Sequence, residues 1–225
     1  MVPSRSELDC IIFHVAYGVM SGVALVLPEP ALGLRILGLV LAYNLMLPAY
    51  AQWRGHADWV RLWLFLLPLS IFQILPDSFM ASVRAVLVFP DTGVPRIGHV
   101  PVYMAGMWVI PLFLLLMLGH GVQDRLGRWQ AMLAVAAASL LLFGGAERLA
   151  PVLSLWYAQG VHQFMGVALY VLVPEMLLGV AALVAYEEGS GRGAAYHLTA
   201  AAAVMLFYLG TLVLSCELTE RILLG

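Results

Sequence analysis

Apolar residues fill seven long stretches of the chain, separated by short segments in which Pro, Gly, Arg and acidic residues gather. Each stretch is roughly 17 to 25 residues long, the length an α-helix needs to cross a hydrocarbon core. The pattern therefore predicts spanning helices at Cys10–Leu27, Ala31–Tyr50, Trp59–Leu75, Pro101–His120, Trp129–Ala146, Val161–Tyr186 and Ala194–Cys216. The connections are too short to hold a separate soluble unit, so the fold class expected is all-α, a seven-helix transmembrane bundle forming one domain over residues 1–225. A helix of this kind satisfies its backbone internally, the one open-chain way to cross lipid.

Composition strengthens this picture. The chain is 63% hydrophobic and 11% charged, with a mean hydropathy of +0.94, far outside the range of soluble domains. The first span ends at Leu27-Pro28-Glu29-Pro30 with no small-residue cleavage site, so it is expected to remain as a helix and not to be removed as a signal peptide. Arg5, Arg54, Arg61, Arg125, Arg128 and Arg192 fall at one set of helix ends, against Arg35, Arg84, Arg96, Arg148 and Arg221 at the other. That small excess places the amino terminus in the cytoplasm, in what is expected to be a bacterial inner membrane. Cys10 and Cys216 then lie near opposite faces and do not pair.

All 11 basic residues are Arg, and Lys is absent. The bland cause is a GC-rich genome, yet the absence is chemically informative: it excludes a retinal or pyridoxal Schiff base and a phosphate-gripping P-loop. A net charge of −2 without a basic cluster speaks against nucleic acid as a partner. The six His residues form no paired box and the two Cys are far apart, so no metal is expected from ligand spacing. No acidic pair of the kind that holds magnesium against a diphosphate is present either. A bis-His haem on His14, His120 or His197 is left open beside the plainer reading of these residues as hydrogen-bonded or interfacial groups; the expectation is no cofactor.

What remains is a set of polar residues inside an oily bundle. Glu175 follows Pro174 near the middle of VALYVLVPEMLLGVAALVAY. An ionisable group there costs about 2.5 kcal/mol or more on insertion scales, so it is expected to face the protein interior and to mark a site. Gly179 and Ala182 share its helical stripe and permit close packing, and Pro174 removes a backbone donor beside it. Asp77, directly after the third span, is the second candidate acid. Glu147 beside Arg148 is a third, or an ordinary interfacial ion pair. On the first helix His14, Tyr17, Gly18, Ser21 and Gly22 recur at three- and four-residue steps on one face; the glycines read as packing positions, and His14 as a proton relay. Asn44 interrupts the second span, and Tyr208, Thr211 and Ser215 form a polar face on the seventh.

Between the third and fourth spans the Pro- and Gly-punctuated segment holds Arg84, Asp91, Arg96 and His99, of which Arg84, Asp91 and Arg96 are expected to be solvated or paired with headgroups. Its VRAVLVF stretch is too short to span and is expected to re-enter the bundle or lie at the interface. Trp108, Tyr103 and Tyr170 are candidate walls of a pocket, their electron-rich faces suited to a cation. Trp156 and Tyr157 read instead as members of an aromatic belt. HVPVYMAGMWVIP and HQFMGVALYVLVP each carry His twelve residues before Pro, a hint of duplication that sets Leu112 against Glu175.

Taken together, VPVYMAGMWVIPL, GGAERLAP, LWY and GVALYVLVPEMLLG resemble small polytopic isoprenoid-modifying membrane proteins: carotenoid hydratases and integral membrane lycopene or meroterpenoid cyclases. The resemblance covers about half the chain. It implies an enzyme without metal in which an acid protonates a double bond or epoxide, followed by ring closure or water capture. Carried onto this sequence, it makes Glu175 the proton donor, with Asp77 and Glu147 as further acids and a lipophilic isoprenoid as substrate. The competing class is a non-enzymatic carrier, receptor or scaffold subunit for a small lipophilic ligand. Oligomeric state is not legible here.

Overall fold

The computed structural model describes residues 4–223. Seven helices or helix pairs are long and apolar enough to cross a membrane: Arg5–Val26, Leu32–Arg54, Ala57–Ser82, Met104–Leu126, Arg128–Leu149, Leu169–Glu188 and Ala194–Leu223. The protein is an integral multi-pass membrane protein, and its outward helix faces contact lipid.

In chain order the elements are α1 (Arg5–Val26), α2 (Leu32–Arg54), α3 (Ala57–Phe72), α4 (Ile74–Ser82), β1 (Leu87–Val88), β2 (Arg96–Ile97), β3 (Val100–Pro101), α5 (Met104–Met107), α6 (Val109–Leu126), α7 (Arg128–Leu149), β4 (Tyr157–Ala158), β5 (Gln163–Phe164), β6 (Val167–Ala168), α8 (Leu169–Glu188) and α9 (Ala194–Glu217), followed by a π-helical turn at Leu218–Leu223. Local chemistry fixes several boundaries. Ser4 and Glu7 form a reciprocal capping box that starts α1, satisfying amide groups that would otherwise be orphaned. Gly55, at φ +79°, closes α2 in a left-handed cap that α3 follows almost at once, a conformation glycine takes without a Cβ penalty.

Because consecutive spans alternate in direction, the chain has two ends. One carries the starts of α1, α3, α7 and α9, and is called here the amino-terminal face. The other carries all six short strands, and is called the hairpin face. There β2 pairs with β3 and β5 with β6 as hairpins, while β1 pairs with β4 antiparallel, Leu87 opposite Ala158 and Val88 opposite Tyr157. Two residues of the VRAVLVF stretch thus form half of a ribbon joining distant parts of the chain. The sixth span likewise starts at Leu169 and not at Val161, because residues 163–168 are consumed by a hairpin. Glu220 holds this hairpin, accepting from the His162 backbone N–H at 3.0 Å and from its Nδ1 at 2.7 Å. Arg96, exposed as expected, also donates to the carbonyl of Phe89, while Arg84 pairs with Glu217 in place of the expected solvent or headgroups.

The core lies among α3, α6, α7, α8 and α9. Gly179 of α8 lets Ser139 and Val135 of α7 approach so closely that a Cβ there would collide with Ser139 Oγ, which bears out the small-residue stripe read beside Glu175. Gly18 and Gly22 of α1 behave otherwise. Both are exposed with nothing within 4 Å of a Cβ placed there, so no other helix of this chain packs against them. The rest of that face, Val15, Val19 and Val23, is exposed apolar surface directed at lipid.

Candidate functional site

A cavity of about 510 Å³ opens inside the bundle toward the hairpin face, within the roughly 300–1,000 Å³ span of small-molecule sites. Three carboxyl groups line it, each from a different span: Asp77 of α4, Glu147 of α7 and Glu175 of α8. No Arg or His stands in the lining. Among the described residues none of the three carboxyl groups is in an ion pair.

Each acid arrives there for a local reason. At Gln73 the third span bends without stopping, so α4 continues for another nine residues and carries Asp77 inward to 6% exposure. The expectation that Asp77 stands in a loop after the span is corrected by this continuation. Glu175 is 4% exposed, one residue after Pro174 inside α8, where the proline ring leaves a gap in the hydrogen-bond ladder. Glu147 is partly buried near the end of α7. It forms no ion pair with Arg148; its Oε1 accepts from Trp156 Nε1 at 2.7 Å. Trp156, taken from the sequence as a belt residue, is therefore part of the cavity wall. Oδ2 of Asp77 and Oε2 of Glu175 are buried with no donor, a costly condition for such groups.

Aromatic rings complete the enclosure. Trp108 lies 5.4 Å from Phe143 and 5.9 Å from Tyr208, centroid to centroid, and all three line the cavity with Tyr170 and Trp156. Trp108 reaches this position at a break between α5 and α6, where its backbone N–H donates to Ser70 Oγ at 3.1 Å. Met80, Leu87 and Phe89 line the side nearest the β1–β4 ribbon. Leu141 and Leu149, which also line the cavity, are 78% and 59% exposed, so on the α7 side the wall is also the lipid-facing surface.

The remaining sequence candidates lie elsewhere. Neutral His14 donates from Nδ1 to the Cys10 carbonyl at 2.8 Å and accepts from the Tyr43 hydroxyl at 2.9 Å. It is fully occupied in fastening α1 to α2, away from the cavity, and no relay passes through it. Tyr17 donates to the Leu39 carbonyl in the same seam. Asn44 donates to the carbonyls of Val40 and Gly106 and accepts from Trp63 Nε1, tying α2 to α3 and α5. Tyr103 is fully buried but does not line the cavity, and burial raises its hydroxyl pKa above the ordinary phenol value. Phe143, Tyr208 and Trp156 are the wall residues that sequence pattern did not single out for the site. Tyr208 was visible there as a polar face, though not as a pocket residue.

The duplication hinted at in the sequence has a structural counterpart at a different register. Asp77 precedes the first residue of β1 by ten residues, and Glu147 precedes the first residue of β4 by the same ten. Each unit leaves its helix through a non-glycine residue in left-handed backbone, Ala85 and Ser154, both at φ +54°. A β-hairpin follows, and then Val-x-x-Tyr: Val100 to Tyr103 and Val167 to Tyr170. Aligned on the hairpins, Glu175 corresponds to Trp108 and not to Leu112. The register is set by turn geometry, not by the His and Pro identities. β1 and β4 pair antiparallel with one another, and Asp77 and Glu147 stand at the same distance before them along the chain.

Residues 74–219 match the model of a family described as a domain of unknown function (DUF6989). The chain belongs to this family. The DUF6989 match takes in all three carboxyl groups, both hairpins and the aromatic wall, and excludes α1, α2 and α3 with His14, Tyr17 and Asn44. No curated protein and no solved structure matches the chain.

Proposed function

We propose that this protein is a membrane enzyme of isoprenoid metabolism that starts cyclisation or hydration of a lipophilic polyene by protonation, without a metal. The observation that carries the reading is the convergence of Asp77, Glu147 and Glu175 on one apolar, aromatic-walled cavity, with buried carboxyl oxygens that no protein group engages. A structural carboxyl group buried in lipid is expected to find a partner helix; one aimed into a cavity is placed for a ligand.

Glu175, the most buried of the three, is the proton donor. Its O–H bond breaks as a new C–H bond forms at one carbon of a double bond, leaving a carbocation at the other and a carboxylate on the enzyme. The faces of Trp108, Tyr170 and Trp156 stabilise that cation by their quadrupoles. A second double bond then attacks to close a ring, or water adds. The proton released at the end goes to Asp77 or Glu147 in its ionised form and passes from there back to Glu175, so the carboxyl set ends the cycle with the charge and the donor it began with. General acid–base catalysis of this kind contributes about 10²–10⁴-fold, and electrostatic stabilisation of the cation adds to it. The lipid-facing α7 wall suits a substrate that arrives from within the bilayer. We place the protein in a bacterial inner membrane with its amino terminus in the cytoplasm, on the arginine distribution.

The test is to incubate membranes containing the protein with linear polyprenoids and carotenoid precursors and to separate the products by chromatography and mass spectrometry. Conversion to an isomer of equal mass and more rings, or to a product heavier by one water, supports the reading. Saturable binding with no change of mass or retention overturns it in favour of a carrier or receptor.

A further inference from the structure

The carboxyl cavity differs from an ordinary lipid pocket in what it lacks. Three acids line it and no cationic side chain does. Two are nine-tenths or more buried, at 6% and 4% exposure for Asp77 and Glu175, and each presents an oxygen with no donor. Glu147 accepts from Trp156 at 2.7 Å, and the Trp108 side chain stands close enough to Asp77 to act on its carboxyl group as a donor. The walls add Trp108, Tyr170, Tyr208 and Phe143, whose ring faces attract cations within about 6 Å. Carboxylate acceptors and aromatic faces around one space are how quaternary ammonium ligands are recognised.

The arrangement also selects among cations. Among the described residues no group of three or more His, Cys, Asp or Glu is gathered closely enough to hold a metal ion. Asp77, Glu147 and Glu175 share the wall with apolar side chains such as Met80 and Val171. A small divalent ion wants its oxygens together. A bulky monovalent cation with methyl groups does not, because its charge is diffuse and its surface is apolar. The exposed Leu141 and Leu149 wall gives an alkyl tail a route to the membrane.

We infer that the cavity is a binding site for a lipophilic ammonium ion, one tertiary or quaternary nitrogen carrying an alkyl chain. The nitrogen sits among the three carboxyl groups and the rings, and a tertiary ammonium N–H donates to Asp77 Oδ2 or Glu175 Oε2. This rests on the same cavity as the proposed reaction, where the ammonium occupies the place of the carbocation, but it requires no turnover. An uncharged ligand of the same shape brings no positive charge to the carboxyl groups; an alcohol donates at most one hydrogen bond to one of their oxygens.

The experiment uses the full chain in neutral maltoside micelles, titrated with N,N-dimethyloctylamine, octyltrimethylammonium and 1-octanol. Tryptophan emission and thermal midpoint are the readouts. Both amines are expected to bind saturably and at least tenfold more tightly than the alcohol. The variant D77N/E147Q/E175Q is expected to lose that preference while keeping its affinity for octanol, which also shows that its cavity is intact. If the triple variant does not fold, E175Q alone is titrated and is expected to lose part of the preference. Equal affinity for amine and alcohol, or an unchanged preference in the variants, overturns the inference. Charge preference without turnover of any polyene leaves the ammonium site standing and removes the enzyme reading; turnover without charge preference does the reverse.

Discussion

Two sets of carboxyl groups, each with a buried member, lie at opposite ends of the bundle, and they are built on opposite principles. At the amino-terminal face Asp9 is 2% exposed and saturated. Arg54 donates to it from Nε at 3.0 Å and from Nη2 at 2.7 Å, and His56 Nε2 donates at 2.8 Å. Around it Glu7 pairs with Arg125, and Arg128 with Glu188 at 2.9 Å. These contacts join α1 to the end of α2, to α6, and α7 to α8. Toward the hairpin face Glu175 is 4% exposed and has no such partner, although eleven Arg residues were available to the sequence. The first set spends its charges on holding helices together. The second keeps them free. Burial alone therefore does not mark a site; burial facing an open volume without a counter-charge does.

The contrast is broken most directly by asking which acid can be neutralised without loss of the fold. Glu175→Gln is expected to leave the thermal midpoint in detergent unchanged, because nothing donates to Oε2, and to lower turnover of a responsive polyene by about 10²–10⁴-fold. A variant that unfolds would make Glu175 a structural residue; full turnover would remove it from the chemistry. Asp9→Ala should do the opposite. It leaves Arg54 and His56 without their anion and is expected to lower stability, read by denaturant titration, with specific activity of the surviving folded fraction intact.

A smaller effect tests the seam that supports Glu175. Gly179→Ala places a methyl group against Ser139 Oγ, and overpacking of this kind costs about 1–3 kcal/mol. Ser139→Ala in the same chain removes the obstructing oxygen and is expected to recover most of that loss. Absence of recovery would mean that α7 and α8 are held by something other than this contact.

The sequence made much of this legible, and the failures are instructive. Seven spans follow from apolar run length, because lipid admits so few backbone solutions. Glu175, Asp77 and Glu147 stand out because acids are rare in such runs. The sequence does not show that these three meet, since they come from three spans and the meeting is fixed by tertiary packing. His14 misled because a helical face that gathers polar groups looks the same whether it faces a pocket or, as here, Tyr43 of the next helix. Gly18 and Gly22 differ for a related reason: small residues permit close approach without requiring it, and here no other part of the chain comes near them. The two hairpins escaped because each strand is only two residues long, too short for any alternation to register. With them went the correct pairing of Glu175 with Trp108.

The smallest expected effect probes the one place where the two designs mix. Glu147 belongs to the free set by its position in the cavity, yet it accepts from Trp156 at 2.7 Å. Trp156→Phe removes that donor and is expected to cost about 1 kcal/mol, the net worth of a typical hydrogen bond. If the bond matters only because it satisfies the carboxyl group, replacing both partners should be nearly neutral, so W156F/E147M is expected to regain most of the stability lost by W156F. If Trp156 matters chiefly as a wall for the ligand, stability changes little in either variant, while affinity for a bound cation falls in both. In the first outcome Glu147 is tuned by the protein before any ligand arrives; in the second it waits, like Asp77 and Glu175, for a partner the chain does not supply.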